Sequence, residues 1–167
     1  TWWTVIMSTV QIENKHASNQ RMLHMRNQWA TFSSRVMNAD AQQVASLAPF
    51  DVVVLVETPR GALAVTETAR VDNALAVMWG AEDLFAATGG TANRRPDGSY
   101  RDVAKHVRSQ SLLAAKALGR LALDSVYLDI RDLDGLRAET DDAVAVGFDA
   151  KVAIHPTQVA VIRAGYA

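Results

Sequence analysis

With 167 residues, 49% of them hydrophobic and 21% charged, the chain has the composition of a single soluble globular domain. A net charge of -1 gives no electrostatic basis for holding nucleic acid or an anionic membrane, and the absence of cysteine excludes disulfides and a thiolate zinc site and suits a reducing cytoplasm. No apolar run is long enough to span a bilayer, and the opening "TWWTVIMSTV" lacks both a basic flank and a small-residue cleavage site, so it does not read as a signal peptide.

A seam falls near residue 40. Four of the five methionines precede residue 38, all nine glycines follow residue 60, and the first 43 residues set Lys15, Arg21, Arg26 and Arg35 against Glu13 and Asp40. Before the seam "TVIMSTVQI" reads as one short strand. Met22, Met25, Trp29, Phe32 and Val36 then recur at helical spacing, which predicts an amphipathic helix near 18–37 with its stripe turned to a core. After the seam, short strand-like runs stand near 52–57, 74–79, 124–128 and 151–155. Helical patterns lie between them. One spans 61–70. A second spans 100–119, opened by a capping box from Ser99 to Asp102 and closed by Gly119, with Val107, Ser111, Ala114 and Leu118 on one stripe. A third spans 133–147, with Leu133, Leu136, Thr140 and Ala143 aligned before Gly147. Strands alternating with helices predict βα units around a parallel sheet whose strands are buried on both faces.

The polar endings of the strands carry the functional signal. "VVVLVETPRGA" is a greasy run that stops on Glu57, and an unpaired carboxylate is costly to bury. A helix N-terminus, an arginine or a metal ion would compensate it, and the run alone leaves all three open. "WGAED" ends the second strand, Asp129 the third and His155 the fourth, and sites in α/β proteins are built at the C-terminal ends of parallel strands. Each has a structural alternative. Asp129 suits a helix cap, His155 with Pro156 suits a helix-entry turn, and Asp83 suits the positive end of a helix dipole. "GGTANRRPDGSYRD" is a loop by its turn chemistry, with Arg94 and Arg95 as a solvated basic pair or an anion contact.

Taken together, "LVETPRGA", "MWGAEDL", "YLDIRDLDGL" and "GFDAKVAIHPTQVAVI" closely resemble the C-terminal half of the citrate lyase β-subunit-like proteins of the HpcH/HpaI aldolase superfamily, which also holds malyl-CoA and citramalyl-CoA lyases. The motifs keep the family's order from about residue 40 to the end, with Glu57 and Asp83 26 residues apart. The resemblance implies an α/β fold, a partial TIM (β/α)8 barrel of about four βα units, and cleavage or formation of a carbon–carbon bond beside a carbonyl. It implies Mg²⁺ or Mn²⁺ held by Glu57 and Asp83, where a chelated oxo or hydroxy acid can break down through a stabilised enolate. It also implies a substrate contact at Glu57, a substrate carboxylate against the backbone amides of Gly80, Ala81 and Glu82, coenzyme A phosphates near Arg94 and Arg95, and a cytoplasmic homo-oligomer, a trimer in the family. The partner is then an acyl-CoA or a small oxo or hydroxy acid, with no nucleic acid and no membrane.

The same resemblance marks departures. A TIM barrel takes about 250 residues. The family's first strands, its acidic "DLEDG" stretch and its substrate-binding arginine would precede residue 40, and residues 1–39 do not resemble them. The family's C-terminal lid is not matched either. The expectation is therefore an atypical segment, 1–39, joined to a half-barrel, 40–167. The expected activity is a Mg²⁺-dependent carbon–carbon lyase of 3-hydroxy-acyl-CoA, incomplete in this chain, with no catalytic residue assigned. The alternatives are a non-catalytic remnant and a class II pyruvate-type aldolase.

Overall fold

The computed structural model describes residues 40–167, so the early strand and the helix expected near 18–37 lie outside the described residues. The described residues fall into two compact units, 40–125 and Val126–Ala167.

The first unit begins with helix α1 (Ala41–Ala45), opened by a capping box: Asp40 accepts from the Gln43 N–H at 2.9 Å, and the Gln43 side chain accepts from the Asp40 N–H at 3.0 Å. Strand β1 (Val52–Val56) follows. Thr58 then accepts from the Gly61 N–H at 3.1 Å, and Pro59, with its fixed φ, launches helix α2 (Pro59–Ala69) two residues before the expected start at Gly61. Strand β2 (Ala74–Trp79) is buried along its whole length. Helices α3 (Ala81–Ala87) and α4 (Asp102–Ala117) and strand β3 (Leu121–Asp124) complete the unit. β1 pairs in parallel with β2, and β2 with β3. Helices α2 and α4 pack on this sheet. Arg120, just before β3, ties the end of α2 down: its guanidinium donates to the carbonyls of Ala69 at 3.1 Å and Val71 at 3.0 Å, where a cation meets the negative end of the helix.

Several sequence expectations need correction in this unit. Helix α4 starts at Asp102 with Arg101 at its cap and no side-chain cap bond, and the Ser99 hydroxyl turns instead to Asp97 at 2.7 Å, so the Ser99–Asp102 capping box does not form. The third strand is Leu121–Asp124, not 124–128. Val126, Tyr127 and Leu128 have strand-like side chains, but the backbone pairing of β2 with β3 ends at Met78 and Leu123. β1 also departs from burial on both faces, because Val52, Val54 and Val56 are buried while Val53 and Leu55 are half-exposed.

The second unit holds helix α5 (Leu133–Val146), strand β4 (Ala150–Lys151) and helix α6 (Pro156–Gly165). β4 is much shorter than the expected 151–155, although Val152 and Ala153 beyond it are buried. Leu136, Ala153, Val161 and Ile162 form its core. Gln158, fully buried, satisfies both ends of its amide: it accepts from the Ile154 N–H at 2.9 Å and donates to the Tyr127 carbonyl at 2.8 Å. Helix α5 is capped by Asp132, which accepts from the Gly135 N–H at 2.8 Å, and not by Asp129. Asp129 serves the turn before it, accepting from the Arg131 N–H at 3.0 Å. The helix ends on Gly147 at φ 104°, a left-handed conformation that glycine adopts without penalty. Among the described residues no helix is long and apolar enough to cross a membrane.

Gly135 shows how tightly this cap is built. A Cβ there would lie 2.1 Å from both Asp132 Oδ2 and the Tyr127 hydroxyl. Gly135→Ala is therefore expected to displace the cap and lower stability by about 2 kcal/mol, read as a change in the denaturant midpoint.

Candidate functional site

The strand register brings two chain segments to one place in the first unit. Val56 pairs with Trp79, and one residue further the Gly80 N–H donates to the Val56 carbonyl at 2.9 Å. Glu57 therefore emerges beside Gly80, and Asp83 follows in the first turn of α3. Glu57 is only 2% exposed, and its Oε1 has no hydrogen-bond partner among the described residues. Burial first, then the negative charge of Asp83, then a hydrogen bond with the Asp83 carboxyl push the Glu57 carboxyl from 4.5 up to about 7. Two full negative charges face each other at low cost in such a buried gap only with a proton or a cation between them.

Gly80 makes room for this pair. A Cβ at Gly80 would stand 3.2 Å from Glu57 Cβ and 3.4 Å from Glu57 Oε2. The backbone at Gly80, φ -123° and ψ 113°, suits any residue, so the constraint is contact and not conformation. Gly80→Ala is expected to cost about 1 kcal/mol of stability while pushing the Glu57 carboxylate out of position, seen as a several-fold loss of Mn²⁺ affinity in calorimetric titration.

The donor chemistry fits a hard divalent cation. Two carboxylates converge, one oxygen of the pair is buried and unsatisfied, and soft ligands are missing, since the chain has no cysteine. Among the described residues no group of three or more His, Cys, Asp or Glu side chains is placed to hold a metal. Two carboxylates suit Mg²⁺, which keeps several waters and is bound through one or two carboxylates plus substrate oxygens.

The remaining candidates are placed as follows. The Gly80 amide is committed to Val56, while the Ala81 N–H faces the Ser125 hydroxyl at 3.5 Å, the long end of hydrogen bonding. The Glu82 carboxylate accepts from the Asn93 side chain at 2.6 Å and so ties the loop after α3 to its first turn. Arg94 lies 3.8 Å over the Tyr100 ring and donates to the Gly98 carbonyl at 2.8 Å. Arg95 forks onto both oxygens of Asp102 at 3.0 Å, which holds the Asp102 carboxyl below its usual range. Both arginines thus have partners within the loop and the start of α4. In the second unit His155 caps α6, accepting from the Thr157 N–H at 3.3 Å.

A buried acid that sequence reasoning passed over stands at the end of β3. Asp124 is 2% exposed and accepts from the Trp79 indole N–H at 2.7 Å and from Arg108 Nε at 3.0 Å. The signal available was the run "LALD", an apolar strand closing on an acid like the one that closes on Glu57. The strand-like look of "VYL" just after it drew the expected end to Asp129.

The HpcH/HpaI aldolase/citrate lyase family model matches residues 9–156 of the chain. A citrate lyase subunit beta-like protein of Mycobacterium tuberculosis is 60% identical over 126 residues, covering 75% of this chain and 46% of that protein. The mitochondrial citramalyl-CoA lyase of Rattus norvegicus is 35% identical over 147 residues, covering 81% of this chain and 40% of that protein. The crystal structure of CitE from Mycobacterium tuberculosis in complex with magnesium, acetoacetate and coenzyme A superposes with a TM-score of 0.75 at 59% identity, covering 76% of this chain and 48% of that one. The chain therefore spans about half the length of the curated relatives it matches.

Proposed function

Because the chain belongs to the HpcH/HpaI aldolase/citrate lyase family, we propose that it carries the metal-holding part of a Mg²⁺-dependent carbon–carbon lyase acting on a 3-hydroxy-acyl-CoA of the citrate, citramalyl or malyl type. One observation carries this reading: the buried carboxyl of Glu57 at the end of β1 faces the half-buried, like-charged carboxyl of Asp83 in the first turn after β2. The structure of CitE with magnesium, acetoacetate and coenzyme A supports the choice of ion and ligand class.

In this reading Glu57 and Asp83 hold Mg²⁺ or Mn²⁺, and Glu57 also lies against the substrate. When bound, the ion supplies Lewis-acid stabilisation of the negative charge that develops on a carbonyl oxygen as the carbon–carbon bond breaks. Gly80 keeps the backbone close, and the turn from Gly80 to Glu82 offers amides to the substrate carboxylate. With Gly80 committed to Val56, the amides of Ala81 and Glu82 are the ones that bear this role. Arg94 and Arg95 take coenzyme A phosphates only by exchanging their contacts within the loop. The same resemblance supports a homo-oligomer working in the cytoplasm.

The test has two arms. Calorimetric titration of the full chain with Mn²⁺ is expected to show binding that Glu57→Gln and Asp83→Asn each remove. A coupled assay for acetyl-CoA released from malyl-CoA or citramalyl-CoA then addresses chemistry. Release that depends on both carboxylates supports the lyase. Binding without release supports a second reading, a metal-binding unit that does not turn over alone. The observation behind it is that the chain spans less than half of the relatives it matches. No Mn²⁺ binding by the wild type would sink both.

A further inference from the structure

We infer that Asp124, acting through the indole N–H of Trp79, sets the position of the turn from Gly80 to Asp83 and so aims the Asp83 carboxylate at Glu57. The inference rests on the reading of Glu57 and Asp83 as the pair that holds the ion. It makes Asp124 and Trp79 positioning residues, since neither lies among the proposed ligands.

The turn is held from two sides by different means. On the β1 side the backbone does the work: Val56 pairs with Trp79, and the Gly80 N–H donates to the Val56 carbonyl at 2.9 Å. On the β3 side the ladder stops one residue short, at Met78 and Leu123. Beyond that point side chains link the strands. Trp79 Nε1 donates to Asp124 Oδ1 at 2.7 Å, and the Ser125 hydroxyl faces the Ala81 N–H at 3.5 Å. Trp79 is the last residue before the turn and is fully buried, so its ring has no freedom to re-aim without moving the backbone that follows.

The acid is itself held. Arg108 on α4 pairs with Asp124 at 3.0 Å, which sets a cation against the carboxylate and fixes its oxygen in place for a charge-assisted hydrogen bond. Tyr100 meets the Trp79 ring edge-on, with centroids 5.2 Å apart and planes at 73°. The indole is therefore fixed at its N–H and packed at its ring. A purely structural ion pair of strand and helix has no need of the residue that precedes the ligand-bearing turn; this one is built on it.

Trp79→Phe keeps an aromatic side chain but removes the N–H together with the pyrrole half of the indole, while Asp124→Asn keeps the size and removes the charge. Each is compared with wild type by hydrogen–deuterium exchange of the amides from 80 to 84 and by Mn²⁺ titration, at temperatures where all variants are folded. Gly135→Ala, in the other unit, serves as a control for general loss of stability. Trp79→Phe is expected to speed exchange in 80–84 selectively and to weaken Mn²⁺ binding about tenfold, the lower end for outer-shell changes at a metal site. The control should leave both readings unchanged. Unchanged exchange in 80–84 for both Trp79→Phe and Asp124→Asn overturns the inference, as does unchanged Mn²⁺ affinity where the wild type binds. If Glu57→Gln binds Mn²⁺ as well as the wild type, the metal reading fails instead, and the exchange result still decides whether Asp124 positions the turn.

Discussion

In metal-free buffer the chain is expected to lose stability as pH rises from about 5 to about 8, relative to Glu57→Gln, by up to about 3 kcal/mol. The sign follows from the direction in which the fold moves this carboxyl. Glu57 titrates near 4.5 when unfolded and is pushed up to about 7 in the fold, mainly by burial and next by Asp83. Between those values the folded state holds a proton that the unfolded state has released. Raising the pH therefore favours unfolding across that window, and the loss is complete above the folded value. Each tenfold difference in proton affinity between the two states is worth about 1.4 kcal/mol, which sets the upper figure. Glu57→Gln keeps the shape and removes the titration, so the difference between the two denaturation profiles isolates this group from the rest of the chain. Saturating Mg²⁺ should flatten the wild-type profile, because a cation replaces the shared proton, and should leave Glu57→Gln unmoved. Parallel profiles for the two proteins without metal would show that Glu57 is solvated in the folded chain.

The burial of Glu57 was legible in the sequence because its anomaly is local: an apolar run ends on a carboxylate. Helix α2 was legible as a helical pattern, but its start was set at Gly61, two residues late, because Thr58 as cap and Pro59 as first turn went unread. Asp124 was not. Its partners, Trp79 and Arg108, lie 45 and 16 residues away, and only the fold makes them neighbours. The third strand was misplaced for a related reason. Val126, Tyr127 and Leu128 carry side chains that suit a strand, but a strand is defined by its pairing, and the pairing of β2 with β3 ends at Met78 and Leu123. Ser99 had the right spacing for a capping box and lost to a nearer acceptor, Asp97. Arg94 and Arg95 were visible as charge, but not as a stack on Tyr100 and a fork on Asp102. The stripe from Met22 to Val36 lies outside the described residues.

Arg108→Ala is expected to be among the most damaging single changes in the first unit, lowering stability by about 3 kcal/mol. Asp124 is 2% exposed and Arg108 itself is mostly covered, with 18% of its side chain accessible. Truncating the arginine leaves a carboxylate in the interior that has lost its cation, and a buried charge robbed of its partner costs more than the pair contributes. The Trp79 N–H still meets Asp124, but one neutral donor does not replace a guanidinium. The double variant Arg108→Met with Asp124→Asn removes both charges, keeps an acceptor for the indole and keeps the aliphatic bulk against the sheet. It should recover most of the loss. Urea denaturation of the wild type, Arg108→Met, Asp124→Asn and the double variant, followed by far-ultraviolet circular dichroism, gives the coupling directly. A cost below about 1 kcal/mol for Arg108→Ala would mean that water reaches Asp124 when the arginine is gone. Equal losses in Arg108→Met and the double variant would mean that the uncompensated charge of Asp124 is not the source of the cost. Recovery in the double variant, with the indole still held, would separate two roles at one strand end: Arg108 keeps the acid in the core, and Asp124 holds Trp79 in front of the turn that carries Asp83.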